Sequence, residues 1–183
     1  VVIAAVRSKE GTVASDTAEI TTAKDTAIDL GQGANTYIVS KAGTYSFTPE
    51  KVDGTPIDGI ASANWIWATK ADENDKEQKL LDNVAYAGGK IRFTTTGERG
   101  NAVIAAFDAT GKSIWVWLIW CTEQPEEMEY ENGGVFLDRF LGATAADLTD
   151  GEATWGNILY QWGRNVPIYA GYVDEWGEEE VFN

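Results

Sequence analysis

Residues able to hold a ligand gather late in this chain: Asp138, Trp155, Tyr160, Trp162 and Arg164. Flat aromatic faces suit the C–H surfaces of sugars, and a carboxylate and a guanidinium can hold hydroxyls. The competing reading is that these aromatics are core and inter-domain packing, which takes precedence for any single residue because Trp and Tyr bury large areas. Asp138 beside Arg139 likewise reads first as a fold-stabilising charged pair. Catalytic chemistry has little to draw on. The chain has no histidine, which removes the commonest general base, the Ser-His and Cys-His pairs and the usual zinc ligand. Two carboxylates alone could serve a glycosidase, but no motif fixes two acids across a cleft. No catalytic residue, metal ligand or cofactor is assigned. Cys121, in an apolar strand, reads as a buried inert thiol.

Composition narrows the partners. The 183 residues are 44% apolar, enough for a real core, and carry 14 basic against 29 acidic side chains, a net charge of −15. Such a charge repels phosphate backbones and anionic lipid surfaces, so nucleic acid is not an expected partner. No apolar run reaches the ~20 residues of a membrane-crossing helix, so no transmembrane segment is expected in this chain. The acidic run Lys70 to Lys79 lacks the central glycine and alternating carboxylates of a calcium loop and reads as a solvated loop or single helical turn.

The elements that must position these residues centre on Asn101 to Cys121, NAVIAAFDATGKSIWVWLIWC. Strands are expected at Ala102 to Phe107 and Ser113 to Cys121, with Asp108 to Lys112 as the turn between them. Alternation in the second strand sends Ile114, Val116, Leu118 and Trp120 to one side and Trp115, Trp117, Ile119 and Cys121 to the other. Both sides are apolar, so both must be covered: one by the opposite sheet of a sandwich, the other by whatever follows in the chain.

Further strands are expected at Tyr37 to Ser40, Thr44 to Thr48, Asn64 to Thr69, Val84 to Tyr86 and Lys90 to Thr95, with Gly88-Gly89 as a turn. Pro49 ends one of them, and the loop from Glu50 to Ala63 should be exposed. Trp65 and Trp67 are expected on one face, forming a single aromatic layer with Trp115 and Trp117. Turn signals recur at the roughly 8–12-residue spacing of a sandwich. Upstream, VIAAVRSKEGTVA from Val2 echoes VIAAFDATGKSIW from Val103, about one hundred residues on. Residues 1–22 therefore read as the last hairpin of a preceding fibronectin-III-like sandwich. The alternative is that these strands pair with the sandwich that follows. Ile28 and Leu30 mark a short strand in the link.

After Cys121, the acidic stretch Thr122 to Asn132 with Pro125 reads as a domain boundary. Beyond it, VFLDRFLGA followed by LYQWGR and Pro167 closely resembles the opening of the Fibrobacter-type major paralogous domain. The matching positions are Asp138, Arg139, Leu141, Gly142, Ala143, Tyr160, Gln161, Trp162, Gly163, Arg164 and Pro167. Phe140 departs from the pattern, standing where that family usually has asparagine. ANTYIVSKAGTYSF similarly resembles the start of the sandwich that often precedes this domain. The resemblance covers about residues 34–167.

It implies an all-β chain: an Ig/fibronectin-III-like β-sandwich followed by the truncated start of an α+β, C-type-lectin-like module. The expected divisions are residues 1–30 (terminal hairpin and linker), 31–123 (sandwich) and 124–183 (the start of the paralogous domain). It also implies an extracellular or outer-membrane-surface location, as in secreted proteins and lipoproteins of anaerobic gut bacteria. The function implied is that of a non-catalytic adhesin-like or fimbria-associated protein, binding host or microbial glycans or surface proteins. Two alternatives stand beside it: a secreted carbohydrate-active enzyme or its accessory module, and a fimbrial subunit that polymerises with other subunits by lending a strand.

Overall fold

A computed structural model describes residues 4–7, 13–16, 26–69, 80–147, 149, 151 and 154–169. It is all-β, and no helix among the described residues is long and apolar enough to cross a membrane. The expectation for Lys70 to Lys79 lies outside the described residues.

Strands β1 (Ala4–Arg7) and β2 (Val13–Asp16) form an antiparallel hairpin that pairs with no other described strand. Eight strands follow in two sheets: β3 (Ile28–Gln32), β4 (Thr36–Val39), β5 (Gly43–Thr48), β6 (Ser62–Ala68), β7 (Leu81–Ala87), β8 (Lys90–Thr95), β9 (Gly100–Phe107) and β10 (Ser113–Cys121). One sheet has the order β3-β5-β8-β7 and the other β4-β10-β9-β6. Neighbours are antiparallel except at two edges, where β3 runs parallel to β5 and β4 parallel to β10. The short strand marked by Ile28 and Leu30 is thus an edge of the sandwich. Beyond it lie two short antiparallel hairpins, β11 (Glu127–Glu129) with β12 (Val135–Leu137), and β13 (Ile158–Tyr160) with β14 (Pro167–Tyr169).

Turn chemistry accounts for the hairpins. At Asp108 one carboxylate oxygen, Oδ1, accepts from the Thr110 amide (2.8 Å), the Thr110 hydroxyl (2.6 Å) and the Lys112 amide (3.0 Å). These bonds hold its carboxyl below the usual range. Gly88 and Gly89 both take positive φ, 59° and 78°, the pair that a two-residue turn needs to match strand twist.

The two sheets share a core in which Tyr37 stacks on Phe47 at 4.4 Å and Phe47 tilts against Trp117 at 5.1 Å. From Trp115 onward β10 alternates as expected: Trp117, Ile119 and Cys121 face this core, while Val116 and Leu118 face away into a second cluster. The register shifts between Ser113 and Trp115, leaving Ile114 opposite no residue of β9. Ile114 consequently packs with Trp115 against the first core, contrary to plain alternation. A second shift lies between Trp65 and Trp67, where Ile66 is the extra residue. Trp65 pairs with Ile104 and joins the first core; Trp67 pairs with Val103 and joins the second. The expected single layer of four tryptophans is therefore split across the sheet by a bulge.

Candidate functional site

The far face of β9 and β10 presents Asn101, Val103, Ala105, Val116, Leu118 and Trp120, all buried. Leu141 and Ile158, from the segment after Cys121, cover it together with Trp67 and Phe107. Polar donors at the margin need partners once water is excluded, and carbonyls of the covering backbone accept from four of them. Asn101 Nδ2 donates to the Gly142 carbonyl at 2.7 Å and Trp120 Nε1 to that of Ala143 at 2.9 Å. Thr122 Oγ1 and Arg99 Nη1 both donate to the Thr144 carbonyl, at 3.2 and 3.3 Å. Gly142 has φ +89°, and a Cβ there would run into the Ile158 side chain and lie 2.8 Å from the Gly156 carbonyl. Only glycine fits the approach.

Asp138 belongs to this clamp. Its two oxygens accept from Arg139 Nε and Nη2, each at 2.8 Å, and Arg139 Nη1 donates to Thr122 Oγ1 at 3.1 Å. The paired guanidinium holds the Asp138 carboxyl below the usual carboxylate range. Both oxygens of this carboxylate are thus engaged in one fork with Arg139.

Tyr160 and Arg164 meet elsewhere. The β13–β14 hairpin is anchored by buried Ile158 and by Tyr169, whose ring lies 6.0 Å from that of Trp67. Its turn closes with the Arg164 amide donating to the Gln161 carbonyl at 3.0 Å and Gly163 at φ 77°. Between this turn and the start of β4 is a cleft of about 460 Å³ lined by Asn35, Thr36, Tyr160, Gly163, Arg164 and Asn165. Burial raises the Tyr160 phenol above its ordinary value, with the Thr36 hydroxyl beside it pulling the other way. Trp162, in the same turn, is 100% exposed, and Trp155 is 48% exposed. Neither is a core residue.

Three lining residues, Asn35, Thr36 and Asn165, carried no signal of a site. The first two lie over one hundred residues from Tyr160 in sequence, on the strand start that pairs with β10, and only the packing of the C-terminal hairpin beside it brings them together. Cys121 is 2% exposed, and burial pushes its thiol up to about 12, as expected of an inert core cysteine. Among the described residues no group of three or more Cys, Asp or Glu could hold a metal ion. Comparison with family models, curated proteins and solved structures gives no match.

Proposed function

We propose that this chain is part of a non-catalytic cell-surface protein, adhesin-like or fimbria-associated, which presents a binding surface built on a sandwich. One observation carries the reading. Leu141, Gly142 and Ala143, positions of the resemblance to the major paralogous domain, are the residues that dock on the sandwich. The Gly142 and Ala143 carbonyls receive the Asn101 and Trp120 donors. This fixed seat turns the Tyr160-to-Arg164 stretch of the same resemblance outward, with Trp162 free of packing.

The strand order supports an immunoglobulin-like sandwich. Sheets β3-β5-β8-β7 and β4-β10-β9-β6 follow the A-B-E-D and C-F-G arrangement, with β4 added beside the last strand. The parallel pairing of β3 with β5 departs from an all-antiparallel sheet of that kind. Secretion and surface location follow from the resemblance.

The test sets retention against turnover. Purified chain is expected to be retained on a glycan array and to release no product from a polysaccharide panel. Product release would make it an enzyme, and absence of retention on glycan and protein surfaces alike would end the adhesin reading. Sedimentation at several concentrations separates out the polymerising subunit, which would show concentration-dependent assembly.

A further inference from the structure

We infer that the cleft between the start of β4 and the β13–β14 turn binds a saccharide bearing a carboxylate, a uronic- or sialic-type sugar. Arg164 engages the carboxylate, and Asn35 and Asn165 engage ring hydroxyls. This rests on the surface-binding reading above and narrows it to one ligand class.

The charge pattern is the first ground. In a chain with 29 acidic and 14 basic residues, Arg164 is the one charged residue among the described residues lining this cleft, and none of those lining residues is a carboxylate. Arg99 is paired to Glu123 and Arg139 to Asp138, whereas Arg164 forms no ion pair with a described residue. A guanidinium left unpaired in a concave site is suited to a planar, two-pronged acceptor from outside.

The second ground is independent of charge. Asn35 Oδ1 and Asn165 Nδ2 are buried atoms without a hydrogen-bond partner, and both residues line the cleft. One is an acceptor and the other a donor. Turned toward the cleft, either amide would be satisfied by a hydroxyl, which donates and accepts, and adjacent ring hydroxyls would satisfy both. The volume, about 460 Å³, is within the range of small-ligand sites.

The neighbouring cleft also holds buried unpartnered atoms, Asn35 Oδ1 and Trp115 Nε1, and differs in its charged lining. It measures about 370 Å³, shares Asn35, and is otherwise lined by Lys51, Val52, Asp53 and Trp115. Asp53 would repel a carboxylate there, and Lys51 Nζ sits 5.5 Å from the centre of the Trp115 ring, covering the face a sugar would stack on.

The experiment titrates the whole chain with methyl glycosides of glucuronic, galacturonic and N-acetylneuraminic acid, and with methyl glucoside and methyl galactoside, by calorimetry and ligand-observed NMR. At least one acidic glycoside is expected to bind about tenfold or more tighter than the neutral ones, and raising the salt should weaken it. Arg164→Ala should remove that preference, with Arg164→Lys retaining part of it because the charge stays while the fork is lost. Asn35→Ala should weaken acidic and neutral sugars alike, and Asp53→Asn should leave both unchanged. Thermal melts and near-ultraviolet circular dichroism matching the parent show that each variant is folded. Binding of neutral and acidic sugars with equal affinity, unaffected by Arg164→Ala, would overturn the carboxylate site while leaving a glycan-binding protein. Retention of protein ligands alone would also overturn it, and retention of nothing would remove both.

Discussion

Trp120 and Cys121 are adjacent in one strand, point to opposite faces, and make two different demands on their surroundings. The Trp120 indole is 1% exposed and spends its one donor on the Ala143 carbonyl at 2.9 Å. Trp120→Phe keeps most of the packing and leaves that carbonyl without its partner. The expected cost is about 1–3 kcal/mol in urea unfolding followed by far-ultraviolet circular dichroism. Cys121 has no partner to lose; its thiol is pushed to about 12 from an ordinary 9.0 by burial alone. Above pH 9 the unfolded chain releases this proton while the folded chain keeps it. The contribution to stability is therefore complete below about pH 9 and is lost as pH rises through about 12. Native protein at pH 8 should resist iodoacetamide and react once unfolded in urea; Cys121→Ala should flatten the alkaline limb of the stability profile. At this scale the sequence already marked an inert thiol and placed Tyr160 and Arg164 in a candidate site. It was silent on Asn35 and Asn165, because an amide side chain acquires meaning only from what the fold sets opposite it.

Elements are legible in a chain to the extent that a rule local to them decides their form. Ser113–Cys121 was expected over its observed bounds because its alternation is internal to the strand. The bulges at Ile66 and Ile114 were not, since a register shift is settled by the partner strand. Each changes where an aromatic or aliphatic side chain goes, and the one at Ile66 gives Trp67 to the face that carries the β13–β14 hairpin. The turn at Gly142 shows the same dependence. Gly111 and Gly142 have nearly equal φ, +84° and +89°, but a Cβ at Gly111 would meet nothing within 4 Å while one at Gly142 would strike Ile158. Gly111→Ala should cost about 1–2 kcal/mol, the penalty of left-handed backbone alone. Gly142→Ala adds overpacking and should cost roughly 1–3 kcal/mol more. Denaturant midpoints compared between the two variants check this. An equal cost at the two sites would mean that the Gly142 turn is not seated on the sandwich.

At the scale of the whole molecule, the question is what covers the far side of the β4-β10-β9-β6 sheet. Val103, Ala105, Val116 and Leu118 are 4% exposed or less on that side, and the covering contacts include Leu141 and Ile158 from beyond Cys121. A chain cut after residue 123 would bare this face. Each large aliphatic side chain returned to water costs about 1.5–3 kcal/mol. The shortened chain is expected to bind the dye ANS, to self-associate, and to unfold at lower urea than the full chain. General fragility after truncation would look similar, so the decisive comparison uses Val116→Thr with Leu118→Thr. In the full chain this pair of substitutions buries two hydroxyls in an apolar cluster and should destabilise by several kcal/mol, since an unpaired buried hydroxyl costs about 1–3 kcal/mol and lost packing adds to it. In the shortened chain the same substitutions face water, suit a pleated strand, and should restore solubility and abolish ANS binding. The sign of their effect reverses only if the C-terminal segment is the cover. Destabilisation in both chains would instead assign these side chains to the core between the two sheets, against the alternation that sends Trp117 and Ile119 there.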